Sequence, residues 1–429
     1  MPARLSAAAA TLLLATALPA ADWPQWRGPS RDGHSPETGL LKQWPAQGPP
    51  LAWKADLGGV GFSSPAVVGD RLFVTSAEDD EQGLKECALC LGAKDGKPRW
   101  KVALPNKNDT DEYEGGWGSG PRSSPTADGG LVYLLGARGD LCCLKAADGG
   151  VVWSVNLVKD FGGGVPRWGY SESVLVDGDR LVCTPGGNRG TVLALDKKTG
   201  QKLWQSADLK DEAAYASLVV ADVGGVRQYV TQTESASVGV RASDGKLLWR
   251  VAELNRAVAV IPTPVVHDGY AFFTAGYGAG CELLKLEPDG DGTKATVVYT
   301  KNPVLGNHHG GVVRVGEYIY GHNDNRNEWV CIEYKKNDTD PVWQSGSKLE
   351  KGSVIVADGN LYCYGENRGT VALVAASPDG WLEKGRFEIP EKSKFPRRSG
   401  KIWAHPVIAG GKLYLRDHEL LFCYDIAAK

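Results

Sequence analysis

Two short stretches of this chain concentrate side chains that can capture charge. Pro166-Arg167-Trp168-Gly169-Tyr170-Ser171-Glu172 offers a guanidinium, two large rings and a carboxyl group. Asn307-His308-His309-Gly310-Gly311 offers adjacent imidazoles. Arginine and lysine hold carboxylates through charge-assisted hydrogen bonds, and tryptophan or tyrosine stacks on a flat ring. The chemistry on offer is therefore capture of a small anionic or aromatic ligand. Metal binding is a poorer fit, because adjacent residues on a strand face apart. That separates His308 from His309, and Cys142 from Cys143. Cys87-x-x-Cys90 has no second pair and no flanking histidine. Asp289-Gly290-Asp291-Gly292-Thr293 begins like a calcium loop but lacks the distal glutamate, and reads as a turn. There is no Gly-x-Ser-x-Gly, phosphate loop or His-Glu-x-x-His. No catalytic residue and no metal ligand is assigned.

The elements that must position these groups repeat. A tryptophan returns behind an Asp-Gly or Thr-Gly turn, as in Asp95-Gly96…Trp100, Asp148-Gly149…Trp153, Thr199-Gly200…Trp204 and Asp244-Gly245…Trp249. A period of roughly 40–50 residues marks a propeller or solenoid. Each unit reads as four short antiparallel strands joined by tight turns. Eight units begin near residues 63, 123, 172, 216, 262, 310, 352 and 404. The tryptophan place is filled by Trp100, Trp153, Trp204, Trp249, Tyr299, Trp343 and Phe387. The eighth unit ends after Leu420 to Asp425, and Pro50 to Leu57, carrying Trp53, supplies its missing strand. The expectation is an all-β, eight-bladed propeller of four-stranded antiparallel blades, closed by pairing the N- and C-terminal strands, which leaves only short edges. Seven blades with a separate C-terminal hairpin is the alternative.

In such a ring the first strand of each blade lines the central channel. The position before Pro65 and its equivalents reads Ser64, Ser124, Ser173, Ser217, Thr263, Gly311, Ser353 and His405. Two positions earlier stand Phe62, Arg122, Ser171, Tyr215, Ile261, His309, Lys351 and Trp403. A narrow hydroxyl-lined channel would thus open into a rim of cations, aromatics and imidazoles. The candidate ligand site on that rim is Arg122, Arg167, Trp168, Tyr170, Glu172, Tyr215, Arg256, His308, His309, Lys351, Trp403 and His405.

The rest of the chain sets the context. Residues 1–21, with Arg4, an apolar run from Ala7 to Leu18 and small residues at its end, read as a cleaved export signal, too short to span a bilayer. Residues 22–49 read as an extended arm lying on a propeller of residues 50–429. No cysteine stands near the cleavage point, which argues against a lipid anchor. Insertions run from Asn106 to Pro121 and from Val158 to Tyr170, and a basic loop from Glu391 to Lys401. A net charge of −3 gives no electrostatic reason to expect nucleic acid. Fourteen tryptophans and 55 glycines suit short strands and flat packing. An exported chain with nine cysteines invites a disulfide reading. Yet Cys90, Cys143, Cys331 and Cys423 share the register of Ala194, and Cys183 and Cys363 share another. Cysteine there acts as a small buried hydrophobe.

Leu195-Asp196-Lys197-Lys198-Thr199-Gly200-Gln201-Lys202-Leu203-Trp204 resembles the tryptophan-docking motif of quinoproteins. Across nearly all of the mature chain the pattern is similar to the PQQ-like propeller superfamily, which includes PQQ-dependent alcohol dehydrogenases and BamB-like outer-membrane assembly proteins. Trp23-Pro24-Gln25-Trp26-Arg27-Gly28-Pro29 and the two stretches above resemble exported BamB-like repeat proteins. The resemblance implies a periplasmic or secreted, monomeric, non-catalytic binding or scaffold protein, with another envelope protein or a small ligand as its partner and no required cofactor. Its alternative implication is a PQQ- and Ca2+-dependent oxidoreductase acting on an alcohol or sugar. Such an enzyme would need clustered oxygen donors, and only Glu172 falls on the rim, with Asp324 and Asn325 reaching it if their loop turns upward. A shared fold does not transfer activity.

Overall fold

The computed structural model describes residues 21–80, 83–104, 119–396 and 400–428. The leader up to Ala20 and most of the acidic insertion Asn106 to Pro121 lie outside these residues. Eight sheets of four antiparallel strands follow one another along the chain, and one gains a fifth, parallel strand. No described residue is helical. The first strands of blades 1 to 8 are Ala66–Val68, Thr126–Asp128, Leu175–Asp177, Val219–Val223, Val265–His267, Val312–Val315, Gly352–Ala357 and Val407–Ala409. Blade 8 takes its fourth strand, Leu51–Asp56, from the N-terminal side, antiparallel to Leu420–Asp425. The two ends of the chain therefore close the ring. Asp289-Gly290-Asp291-Gly292 forms a hairpin turn, as its composition suggests, with Asp289 paired to Gly292.

The recurring tryptophan works through two small neighbours. Within its own blade it faces a small third-strand residue: Trp100 faces Cys90, Trp153 Cys143, Trp204 Ala194, Trp249 Gly239, Trp343 Cys331 and Trp53 Cys423. Toward the next blade its ring meets the glycine of the Asp-Gly or Thr-Gly turn. A Cβ on Gly245 would lie 2.4 Å from Trp204, and this glycine also needs a positive φ of 76°, so the turn requires glycine on both counts. The indole N–H then donates to a carbonyl beside that turn: Trp100 to Ala146, Trp153 to Lys197, Trp204 to Ala242 and Trp53 to Ala93, at 3.0–3.2 Å. Trp249 departs from this and donates to Gln228 Oε1 at 2.8 Å. All nine cysteines are free and buried. Burial pushes the Cys90 thiol up to about 11 and Cys143 to about 12. They are packing residues.

Blade 7 corrects one expectation. The residue opposite Leu373, just before the bulge, is Gly385 and not Phe387. The missing ring comes from the arm. Trp44 donates its backbone N–H to Lys384 O at 3.0 Å and sits 5.8 Å from Tyr362. Tyr362 is the second-strand partner of Leu373, as Tyr414 is of Cys423 beneath Trp53.

The arm does more than lie on the propeller. Residues 23–35 cross the axis and touch the inner strand, or its leading residues, in every blade. Trp23 exchanges backbone hydrogen bonds with Val67, and Pro24 O accepts from Ala127 N. Arg31 donates to Ser173 O, Val174 O and Leu218 O. Trp26 Nε1 donates to Thr263 Oγ1 at 2.8 Å, and Arg27 donates to Val312 O. His34–Ser35 pairs in parallel with Val356 and Ala357, and Ser35 Oγ donates to Ile408 O at 3.3 Å. Inner strands carry unpaired backbone groups along one edge, and this segment satisfies part of that edge in every blade but the fifth, where it meets the Thr263 hydroxyl instead.

Candidate functional site

A cavity of about 420 Å³ opens above this axial segment. Its floor includes Trp26, His405 and Ser217, and its walls include Phe62, Arg122, Trp168, Tyr215, His308, His309, Lys351 and Trp403. Most wall positions stand two residues ahead of the inner-strand hydroxyl row, where strand alternation turns side chains toward the axis. The rings form a connected wall. Tyr277 lies 4.4 Å from His308, and His309 stacks on Trp403 at 4.4 Å. His308 and His309 do not face apart as strand alternation predicts but lie 3.6 Å from each other, because they precede the strand and are not part of it. Trp403 continues to Phe62 at 5.1 Å, and the Arg122 guanidinium lies 5.2 Å from the Phe62 ring centre.

Charge is arranged sparingly. Lys351 Nζ donates to Asp324 and, at 2.7 Å, to His308 Nδ1. Burial, and then the Lys351 charge, lower His308 to about 3. His405 falls to about 3 through burial and the nearby Arg27, and His309 falls well below its usual value for the same leading reason. All three imidazoles are neutral at pH 7. His405 Nε2 donates to His309 O at 3.0 Å, which leaves its Nδ1 as the lone-pair nitrogen. Arg122 donates to Trp168 O at 3.2 Å.

Eight of the expected rim residues meet here: Arg122, Trp168, Tyr215, His308, His309, Lys351, Trp403 and His405. Four stand elsewhere. Arg167 lies over the Trp168 ring at 4.9 Å. Tyr170 is buried and donates to Pro185 O at 2.7 Å. Glu172 is buried near Arg31 and accepts from Thr184 N, and burial pushes its carboxyl up to about 7. Arg256 forms a fully buried ion pair with Glu282 at 3.2 Å. Strand alignment alone would bring these last three near the rim, but each has a nearer buried partner.

The hydroxyl row also differs from a channel lining. Ser64 N donates to Ser124 Oγ at 2.9 Å, Ser124 N to Ser173 Oγ at 2.9 Å, Ser173 N to Ser217 Oγ at 3.0 Å and His405 N to Ser64 Oγ at 2.8 Å. Each of these four hydroxyls takes the backbone N–H of a neighbouring blade. The side chains that sequence reasoning missed are Trp26, Val258, Ala259 and Tyr277, all on segments outside the strand alignment. Asp324 does reach the cavity, and is held there by Lys351. Among the described residues, no three histidine, cysteine, aspartate or glutamate side chains gather as a metal site.

Fold and site define an eight-bladed, axially plugged propeller with a rim cavity. Residues 85–345 match the family profile described as outer membrane protein assembly factor BamB, and the chain belongs to that family. It is 23% identical over 394 residues to the protein of that name from Yersinia pestis, covering 86% of each. It is 28% identical over 180 residues to the Xanthomonas campestris protein of that name, and this match spans 42% of the chain and 39% of that relative. A quinohemoprotein alcohol dehydrogenase from Comamonas testosteroni shares the fold, with a TM-score of 0.63 at 12% identity, covering 95% of this chain and 81% of that one.

Proposed function

We propose that this protein is a non-catalytic binding and scaffold propeller of the cell envelope, working in the assembly of outer-membrane proteins. The observation that carries this reading is the likeness to the Yersinia assembly factor over 86% of each chain. Propeller faces are broad and rigid, so they hold partners without an active site. No described helix is long and apolar enough to cross a membrane. The reading of residues 1–21 as an export signal and the relatives' description as outer membrane protein assembly factors support export to the periplasm.

The likeness to a quinohemoprotein dehydrogenase raises PQQ with Ca2+ as a second reading. The residues fit it poorly. Glu172 is buried and accepts from Thr184 N, and Asp324 is paired with Lys351. The oxygen donors that a quinone and its metal would need are committed to the fold instead.

Deletion of the gene tests the first reading. The level of folded, heat-modifiable outer-membrane β-barrels should fall and recover on complementation. Unchanged barrel levels, together with alcohol-dependent dye reduction by the purified protein in PQQ and Ca2+, would replace it with the second.

A further inference from the structure

We infer that the rim cavity binds a planar bicyclic aromatic compound, recognised by its π face. This inference goes beyond the scaffold reading, because it concerns an enclosed pocket and not a propeller face. Four observations converge on it.

The first is enclosure. The axial segment closes the cavity from below. Trp26 donates its indole N–H to Thr263 Oγ1, and its ring lies 4.5 Å from that of His405. A ligand therefore enters from the rim side. An apolar cavity of about 150 Å³ takes benzene, and this one, near 420 Å³, has room for a bicyclic compound. The second is that the charged groups are already engaged. Lys351 donates to Asp324 and to His308, and Arg122 donates to Trp168 O. The surface left to a ligand is mostly apolar, so shape and ring contact select it.

The third is the arrangement of the rings. In a ring of eight blades, equivalent positions four blades apart lie across the axis. Trp403 leads into the first strand of blade 8, and Tyr215 leads into that of blade 4 at the same offset. The two therefore bound opposite sides of the cavity that both line, with Trp168 beside Tyr215 at 5.8 Å. His309 and Trp403 lie face to face, 23° from parallel, which leaves their edges for a ligand. Aromatic edges are positive and aromatic faces negative, so such edges attract the face of a planar aromatic ring. A saturated ring has no such face.

The fourth is an apolar lip in a costly conformation. Val258 and Tyr277 line the cavity at 60% and 44% exposure, and their φ angles are 60° and 55°. Ala259 N donates to Ala257 O at 2.7 Å, closing a three-residue turn around Val258. A β-branched residue with positive φ is a genuine outlier, and such strain collects at ligand clamps. Glycine would take this conformation without strain. An exposed valine held this way serves contact with a ligand better than it serves the fold.

Isothermal titration of the purified protein with 2-naphthol and with decahydro-2-naphthol tests the proposal. Both probes are uncharged at neutral pH, so the comparison isolates the π face. Naphthol should bind saturably and at least tenfold more tightly than its saturated counterpart. Trp403→Leu, which keeps an apolar side chain and removes the ring, should cost naphthol at least tenfold and change decahydronaphthol much less. Val258→Gly should leave the melting temperature close to the parent's and weaken binding of naphthol. Equal affinity for the two probes or no saturable binding would overturn the proposal. So would a Trp403→Leu protein that melts normally and still prefers naphthol tenfold, or a Val258→Gly protein that binds naphthol as the parent does. None of these outcomes bears on outer-membrane assembly, so the two readings fail separately.

Discussion

Trp44, from the N-terminal arm, fills the space over Gly385 in blade 7. A Cβ on that glycine would stand 2.7 Å from the Cβ of Trp44. Other blades carry their own ring at the matching position, and blade 7 borrows one from about 340 residues away in sequence, a separation costly to close in the unfolded chain. The arm is thus a structural part of the ring.

Trp44→Ala should accordingly behave like the loss of a blade's own tryptophan. Truncating a buried large aromatic costs about 3–5 kcal/mol. Urea unfolding of Trp44→Ala beside Trp343→Ala should give losses of similar size. A loss below about 1 kcal/mol for Trp44→Ala alone, the range of an ordinary surface change, would mean that the arm merely rests on the propeller.

Arg31 and Glu172 form the polar centre of the axial plug. Arg31 is buried and donates to three backbone carbonyls of two blades. Burial lowers its pKa to about 10, with Glu172 opposing the shift. Arg31→Met should destabilise by about 3–5 kcal/mol, because it strands a buried carboxyl and the carbonyls together. Adding Glu172→Gln should recover part of that loss, and a double-mutant cycle in urea measures the coupling. Strict additivity would show that the two charges do not sense each other.

Much of this fold was legible because its signals are local. An Asp-Gly or Thr-Gly turn, a small residue and a tryptophan at fixed offsets specify a docking contact between neighbouring blades, and this holds for Trp53, Trp100, Trp153 and Trp204. The rim was legible where strand alternation alone decides direction, as at Arg122, Tyr215, His309, Lys351 and Trp403. It failed where a buried partner outcompeted the cavity, as Glu282 does for Arg256 and Pro185 O for Tyr170. The plug was not legible, because Trp23 to Ser35 has no period. Its hydrogen bonds are satisfied by strands up to about 370 residues away. Phe387 keeps the contact with a glycine of the next blade, Gly48, but the in-sheet position belongs to Gly385, and the ring over it, Trp44, lies in another part of the chain.

The buried histidines set a pH dependence. His308 and His405 are lowered to about 3 and His322 to about 4, mainly by burial. Below pH 6.5 the unfolded chain binds protons at these sites that the folded protein refuses. Stability is therefore full above about 6.5 and is lost as pH falls toward 3–4. Glu172 acts in the opposite sense. Its folded pKa of about 7 means that the folded state keeps a proton the unfolded state has released, so its contribution weakens the fold as pH rises from about 4.5 to 7. Glu172→Gln should leave the acid limb in place and raise stability at pH 7.5 relative to pH 5. Melting curves at both values check this. The same stability difference between pH 5 and pH 7.5 in Glu172→Gln and in the parent would show that Glu172 contributes nothing to the pH dependence.

The hydroxyl ring separates structural from ligand-binding polarity. Ser124 and Ser173 each accept a backbone N–H from the neighbouring blade and are 2% exposed. Alanine at either position leaves a buried N–H unpartnered, at a cost of about 1–3 kcal/mol. Ser124→Ala and Ser173→Ala should therefore each lower the urea midpoint, and unchanged midpoints would mean that these hydroxyls are not what satisfies the N–H groups of the neighbouring blade.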